Sequence, residues 1–354
     1  MRVVAFTKTT AIGPSSRYRY EQYREALGRR GVELRTAPLF GPTWFRILQI
    51  RNTPLRVAAK VGYALLRFGA RIAQLRYVGD AELVIVEHQL FPYLPAWAER
   101  WLASRSPRWI LEFDDAIYRT RLHCRKMETL CGLADRVVVG NRHLADFARR
   151  HAREVSIVPT TIDLTRYPLR DGTPERGGSG PFVIGWIGLP YNFGALSRLR
   201  EPLRRLSEER PVVLRVVSTG APSMDGVEVD EKEWCEDREV EEIRRFDVGV
   251  MPLDDDEWSR GKCGLKVLQY LAAGVPVVAS PVGVNTDIVR HGVNGLLAST
   301  DEEWRDALAR LLDDDALRGE VVRAGRATVE ENYSMEHWVP RLAELWTTTA
   351  RGPS

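Results

Sequence analysis

The feature that most constrains this chain is the recurrence of short, unbroken apolar runs. Leu83-Val84-Ile85-Val86, Val137-Val138-Val139, Val248-Gly249-Val250-Met251 and Val277-Val278-Ala279 are each a few residues long and show no polar alternation. A strand of that kind must be covered on both faces, which is the condition of a parallel sheet flanked by crossover helices. Between the runs, apolar residues recur with helical spacing. The class expected is therefore α/β, with strand and helix alternating along nearly the whole chain.

The pattern divides in two. Strands are expected over 2–6, 32–37, 82–87, 109–113, 136–139 and 155–158, with helices over 17–31, 93–103, 123–134 and 141–151. Residues 171–181, Asp-Gly-Thr-Pro-Glu-Arg-Gly-Gly-Ser-Gly-Pro, have the composition of a linker. A second alternating region follows, with strands over 182–187, 212–217 and 248–251 and helices over 194–210 and 238–246. Helices over 301–312 and 315–333 come next, then an amphipathic helix over 335–348 carrying Trp338, Leu342 and Trp346 at i, i+4 and i+8. A chain of 354 residues suits two domains of about 100–200 residues each. The expected division is 1–170, a linker 171–181, 182–334, and a closing helix 335–350. No internal repeat is seen. In such sheets ligands bind where loops leave the strand C-termini, so the loop from Lys8 to Ser16, with Gly13, and the basic Arg17 and Arg19 are expected to face a cleft.

The second region is organised around residues 260–280, which read as a basic glycine-containing loop, a helix from Leu265 to Ala273, and a buried strand. Gly274-Val275-Pro276 stops the helix. Lys266 and Gln269 share a helix face, and Lys262 enters one turn earlier. Orphan N–H groups at a helix start, two lysines and a glycine-lined approach make a site for a phosphate or diphosphate. Gln269, one turn deeper, is placed to meet a ribose or sugar hydroxyl. The alternative is an amphipathic helix with solvated lysines.

Charge is uneven. The net charge is +3, but between Arg17 and Arg76 thirteen basic residues face three glutamates. Residues 40–77 contain no acid at all, and they mix Trp44, Phe45, Leu55, Val61, Leu65, Leu66 and Phe68 with Arg46, Arg51, Arg56, Lys60, Arg67, Arg71 and Arg76. One or two basic amphipathic helices in contact with an anionic membrane surface are expected. The alternative is ordinary domain helices with a snorkelling cationic face. No run approaches the roughly 18–20 apolar residues of a membrane span, and residue 1 leads directly into a strand rather than a signal peptide. Cys124, Cys131, Cys235 and Cys263 lack metal-type spacing, as expected of reduced thiols in a cytoplasmic protein, peripheral on the inner face of the membrane. No metal, no cofactor and no nucleic-acid partner is expected, since no recognition motif for the last is present.

Several segments, in this order, resemble those of family 4, or group 1, glycosyltransferases. They are Gly13-Pro14-Ser15-Ser16-Arg17-Tyr18-Arg19, Phe113-Asp114-Asp115-Ala116, the run from Ala134 to Asn141, and Ile157-Val158-Pro159-Thr160-Thr161-Ile162-Asp163. Gly185-Trp186-Ile187-Gly188, the run from Phe246 to Leu253, the 260–280 stretch and Asn294-Gly295 complete the set. The resemblance implies the GT-B architecture: two doubly wound Rossmann-like domains facing a cleft, with the C-terminal helix crossing back to the first. It implies a retaining transfer from a nucleoside-diphosphate sugar to a hydroxyl of a glycan, glycolipid or lipid-linked acceptor. Gly13, Gly188, Arg260, Cys263, Gly264, Leu265 and Gln269 fall at donor-binding positions. Arg17, Arg19 and His88 fall on the acceptor side, although a lone histidine at a strand end is also a common structural residue.

The chain departs from the family in three places. Most relatives carry two glutamates eight positions apart around the glycine matching Gly264, where this chain has Gly261 and Gln269. The usual Arg and Lys after the first strand of the second domain are absent from the loop 188–194. A histidine that many relatives carry in the first domain matches Asp114. Countercharge for a diphosphate then falls to Lys262 and Lys266, with Arg260 third. Asp114 is the candidate for contact with the transferred sugar or an acceptor hydroxyl, and Asp115 is a candidate helix cap. The alternatives are a nucleotide-sugar epimerase or hydrolase of the same fold, for which the chain offers few acids and histidines, and a non-catalytic nucleotide-sugar-binding or scaffold protein.

Overall fold

The computed structural model describes residues 1–50, 52–106, 108–119, 121–168 and 180–352. The chain forms two compact units. One comprises Met1–Thr160, Gly261–Cys263 and Trp338–Ser354, and the other comprises Thr161–Arg260 and Gly264–His337. The linker read from composition falls, except for its last two residues, outside the described residues.

The first unit holds six strands: β1 (Arg2–Thr9), β2 (Glu33–Phe40), β3 (Leu83–Glu87), β4 (Trp109–Phe113), β5 (Arg136–Val139) and β6 (Val155–Ile157). They form one sheet in the order β2-β1-β3-β4-β5-β6, parallel throughout. Every residue of β3 and β4 is buried, as their unbroken apolar composition requires. The order reverses between β1 and β3, so the chain leaves both strands at a switch point where the loops on either side diverge.

The second unit repeats the plan with β7 (Phe182–Ile187), β8 (Val212–Ser218), β9 (Val229–Glu233), β10 (Val248–Met251), β11 (Val277–Ala279) and β12 (Leu296–Leu297). Their order is β12-β11-β10-β7-β8-β9, again all parallel. This is the doubly wound order of a dinucleotide-binding sheet, with its switch point between β7 and β10. Its core gathers Trp186, Leu203, Val216, Trp304, Leu308 and Val321, all essentially inaccessible.

Some expected elements differ. The helix expected over 17–31 is three pieces, Pro14–Arg19, a 3-10 turn at Glu21–Tyr23, and Arg24–Gly28. The one expected over 194–210 is also broken, into Phe193–Leu196, Ser197–Leu199 and Arg200–Glu209. The helix expected from residue 93 begins at Trp97, after Pro95; proline disfavours a helical residue before it. The edge strand β9 is hidden in the sequence because Val229-Asp-Glu-Lys-Glu has almost no apolar content. An edge strand can be charged, and charge there blocks pairing with another chain.

Candidate functional site

In the first unit the chemistry concentrates where β3 and β4 end. Glu87 and Glu112 are in register on the two neighbouring strands. Both are buried, and burial raises the pKa of each. Each has its own partners. Glu87 accepts hydrogen bonds from the backbone N–H of Lys8 at 2.8 Å and from the Ser16 hydroxyl at 3.0 Å. Glu112 accepts from Nε of Arg19 at 2.5 Å, and Arg19 also donates to the Val158 carbonyl. For Arg19, burial works against the cation, and the charges of Glu112 and Asp114 overcome it. The expectation that Arg17 and Arg19 face an open cleft is therefore corrected: both are buried, and Arg19 forms an ion pair beneath the strand ends.

His88 stands one residue beyond Glu87, and Asp114 two residues beyond Glu112. His88 has φ 61°, and the Gln89 N–H donates to the Glu87 carbonyl across it at 2.8 Å. That is a γ-turn of the rare, strained hand. Strain of about 1–3 kcal/mol in a side-chain-bearing residue persists only where the surroundings impose it, and such residues gather at functional positions. The turn sets Nε2 of His88 3.2 Å from Oδ1 of Asp114. Burial disfavours the Asp114 anion. The His88 hydrogen bond and charge, the charge of Arg19 and a hydrogen bond from Ser15 outweigh burial and hold the carboxyl well below the usual range. Asp115 goes the other way: burial and the neighbouring Asp114 charge push it up to about 6, against partial relief from Lys262. Asp115 is followed by a 3-10 turn at Ile117–Arg119 and does not cap the helix beyond it, which begins at Arg121.

Gly261–Cys263 cluster with this unit. Asn141 caps its own helix through Oδ1, which accepts the Leu144 N–H, and Nδ2 donates to the carbonyls of Gly261 and Lys262, both at 3.0 Å. The Cys263 thiol donates to the Asp114 carbonyl at 3.1 Å, and burial followed by the Asp114 charge raises its pKa well above normal. A Cβ on Gly261 would lie 2.6 Å from Cβ of Ala116 and 2.9 Å from its backbone nitrogen. A side chain at position 261 would have to displace Ala116, backbone included. Gly13, also buried, donates its N–H to the Thr10 carbonyl ahead of the short helix Pro14–Arg19.

In the second unit the helix Leu265–Ala272 starts at Gly264, whose φ of 70° is left-handed. Glycine adopts that geometry at no cost, and a Cβ there would lie 2.5 Å from Ile288. Leu265 and Lys266 are half-buried in the first turn. Lys266 runs past Gly188, its Cε 2.7 Å from where a Cβ on that residue would stand, and its ammonium lies 5.0 Å from the Trp186 ring centroid. Gly188 directly follows β7, at the switch point of this sheet. The Lys266 side chain thus lies at the C-terminal end of β7, the edge at which doubly wound sheets bind ligands. Arg260 is exposed and its guanidinium grips Asp255 through Nε and Nη2.

Gln269 is buried, with Nε2 donating to Oε1 of Glu239 at 2.9 Å and to the Tyr167 hydroxyl at 3.2 Å. Glu239, also buried, takes the Trp234 indole N–H on its other oxygen at 2.7 Å. The amide is thus matched to a carboxylate on another helix. Glu87, Glu112 and Glu239 were not singled out from the sequence. For Glu87 and Glu112 a signal existed, since an acid inside an otherwise apolar central strand must have a buried partner.

Residues 181–314 match the family described as "Glycosyl transferases group 1". The chain is 27% identical over 254 residues to a D-inositol 3-phosphate glycosyltransferase of Geodermatophilus obscurus, covering 63% of this chain and 54% of that one. It is 29% identical over 301 residues to one of Corynebacterium urealyticum, covering 73% and 68%. The chain spans about half the length of the first of these relatives. Among solved structures, a sucrose-phosphate synthase from Thermosynechococcus elongatus superposes with a TM-score of 0.74 at 14% identity, over 98% of each chain. Anabaena Alr3699/HepE in complex with UDP superposes with a TM-score of 0.69 at 13% identity, over 98% of this chain and 100% of the other. Residues 181–314 thus match group 1 glycosyltransferases, and the two doubly wound sheets give the chain the GT-B fold of these structures.

Proposed function

We propose that the chain is a retaining, metal-independent hexosyltransferase that moves a sugar from a nucleoside diphosphate to a hydroxyl of a glycan, glycolipid or lipid-linked acceptor, in the building of a polysaccharide or glycolipid. The sheet β1–β6 is assigned the acceptor side, with the closing helix counted with it, and the sheet β7–β12 the nucleotide sugar. The carrying observation is the pairing of His88 with Asp114, in which the strained turn after β3 sets Nε2 3.2 Å from Oδ1 of a carboxylate at the end of β4. Breaking a sugar–phosphate bond builds positive character on the ring and negative charge on the departing phosphate, and fixed charges at those two places lower the barrier. Asp114 answers the first. Lys266 and Lys262, with the N-terminus of the helix Leu265–Ala272, answer the second. Arg260, Gly188, Cys263 and Gly264 are assigned to the donor side and His88 to the acceptor side, where it positions Asp114. The buried Arg17 and Arg19 support that side from beneath. Gln269 is assigned to holding Glu239 for the donor rather than to a sugar hydroxyl directly. An anionic membrane surface on the cytoplasmic side is the proposed partner of residues 40–77.

The test is turnover of UDP-, GDP-, dTDP- and ADP-sugars, with D-inositol 3-phosphate, the acceptor named for the relatives, as the first soluble acceptor. Asp114→Asn is expected to lower kcat by about 100-fold or more with a small change in donor KM. Turnover near that of the unaltered protein would overturn the role of Asp114.

A further inference from the structure

The helix Thr53–Gln74 is built inside out. Its side chains at 56, 60, 63, 67, 71 and 74 follow helical spacing and turn toward the unit. Arg67 donates to the carbonyls of Leu39 and Pro38, at 2.6 and 3.3 Å. Arg71, fully buried, forks to the carbonyls of Ala37 and Thr7, both at 2.7 Å. Gln74 reaches the Pro38 carbonyl, and the Tyr63 hydroxyl takes the N–H of Gly41. Apart from Thr7, in the neighbouring β1, these partners lie at or just past the end of β2, the edge strand of the sheet, and an edge presents unpaired backbone groups. The polar face of the helix is its packing face because it covers that edge. The opposite face is left to Leu55, Val57, Val61, Leu65, Leu66 and Ile72, each more than half exposed.

We infer that this outward apolar face inserts into the acyl boundary of an anionic phospholipid bilayer, with the helix lying in the plane of the surface. The inference rests on the membrane partner proposed above and reverses which residues make the contact. The guanidinium hydrogen bonds of Arg67 and Arg71 hold the helix to the sheet, and the leucines enter the lipid. The helix is about 33 Å long, but no helix among the described residues is long and apolar enough to cross a membrane. One apolar face on a helix anchored along its other face suits interfacial burial. The charge selects the occupant. Residues 40–77 contain no acid, and Arg46 and Arg76 are exposed. A second copy docked by two-fold symmetry would set this acid-free cationic surface against itself, whereas phosphate headgroups pair with it.

The experiment is flotation of the full chain with vesicles of phosphatidylcholine alone or with phosphatidylglycerol, at low and high salt. The variant L65N/L66N is expected to lower the partition coefficient by about tenfold or more, since each buried leucine contributes over a factor of ten. R46Q/R76Q is expected to lower it a few-fold and to reduce its salt dependence. Both variants should keep the unfolding temperature and the turnover of a soluble acceptor. Unchanged flotation of L65N/L66N would overturn the inference. So would light scattering showing a dimer of the unaltered chain that L65N/L66N dissolves. Flotation lost in L65N/L66N, in a chain that turns over no nucleotide sugar, would support the inference while overturning the glycosyltransferase reading.

Discussion

Two long helices carry similar amphipathic patterns and use them in opposite senses. Along Met335–Arg351, Val339, Leu342, Trp346 and Thr349 are buried, while Glu336, Arg341 and Glu344 are exposed. Along Thr53–Gln74 the arginines are turned in and the leucines out. Periodicity reports that a helix has two faces. Which face turns inward depends on what it meets: apolar side chains call for an apolar face, and a sheet edge offers unpaired backbone groups to a polar one. Arginine suits the second surface because its planar fork reaches two carbonyls at once and its stem covers apolar neighbours.

If that contrast is right, the largest effect should come from the conventional helix. Trp346 is fully buried, so Trp346→Ala should destabilise the first unit by about 3–5 kcal/mol, combining lost transfer energy with the cavity left behind. Urea unfolding followed by far-UV circular dichroism would measure it. A loss below about 1 kcal/mol would mean that the inward face of this helix contributes little.

This boundary between pattern and partner also divides what the sequence could disclose. The central strands were legible because a strand covered on both faces has no polar positions. Gly264 was legible as the start of the organising helix. The reason for Gly261 was not, because the space it leaves for Ala116 is set by a segment far away in the chain. The burial of Arg19 was hidden for the same reason, since Glu112, which compensates it, lies on a strand far away in the chain. Gln269 looked like a group for a sugar hydroxyl until Glu239, from another helix, supplied its partner. The resemblance pointed to position 114, but the pairing of Asp114 with His88 was hidden, because the turn that aims His88 has no signature in residue types. β9 was invisible because edge strands need not be apolar.

The middle effect tests the edge anchor. Arg71→Met keeps much of the stem and removes both donors, leaving the buried carbonyls of Ala37 and Thr7 short of a partner. The expected cost is about 1–3 kcal/mol, since each unsatisfied group is expensive while relief of a buried cation offsets part of the loss. Arg71→Lys should recover less than half of it, because an ammonium cannot reproduce the fork. Full recovery by lysine would show that charge rather than geometry holds the helix to the edge.

The smallest effect separates the two helices most sharply. Leu66 is 71% exposed, so its side chain is already in water in the isolated protein. Leu66→Asn should therefore change folding stability by no more than about 0.5 kcal/mol, with a small unfavourable part from the lower helix propensity of asparagine. A loss of about 2 kcal/mol or more in dilute solution would mean that Leu66 is covered by protein. In the presence of anionic vesicles the same substitution should lower the apparent stability by more, because a bilayer that binds only the folded chain adds its binding energy to the native state. That dependence on lipid marks an outward leucine whose partner is outside the chain; for Trp346, buried within it, the cost should be the same with and without vesicles.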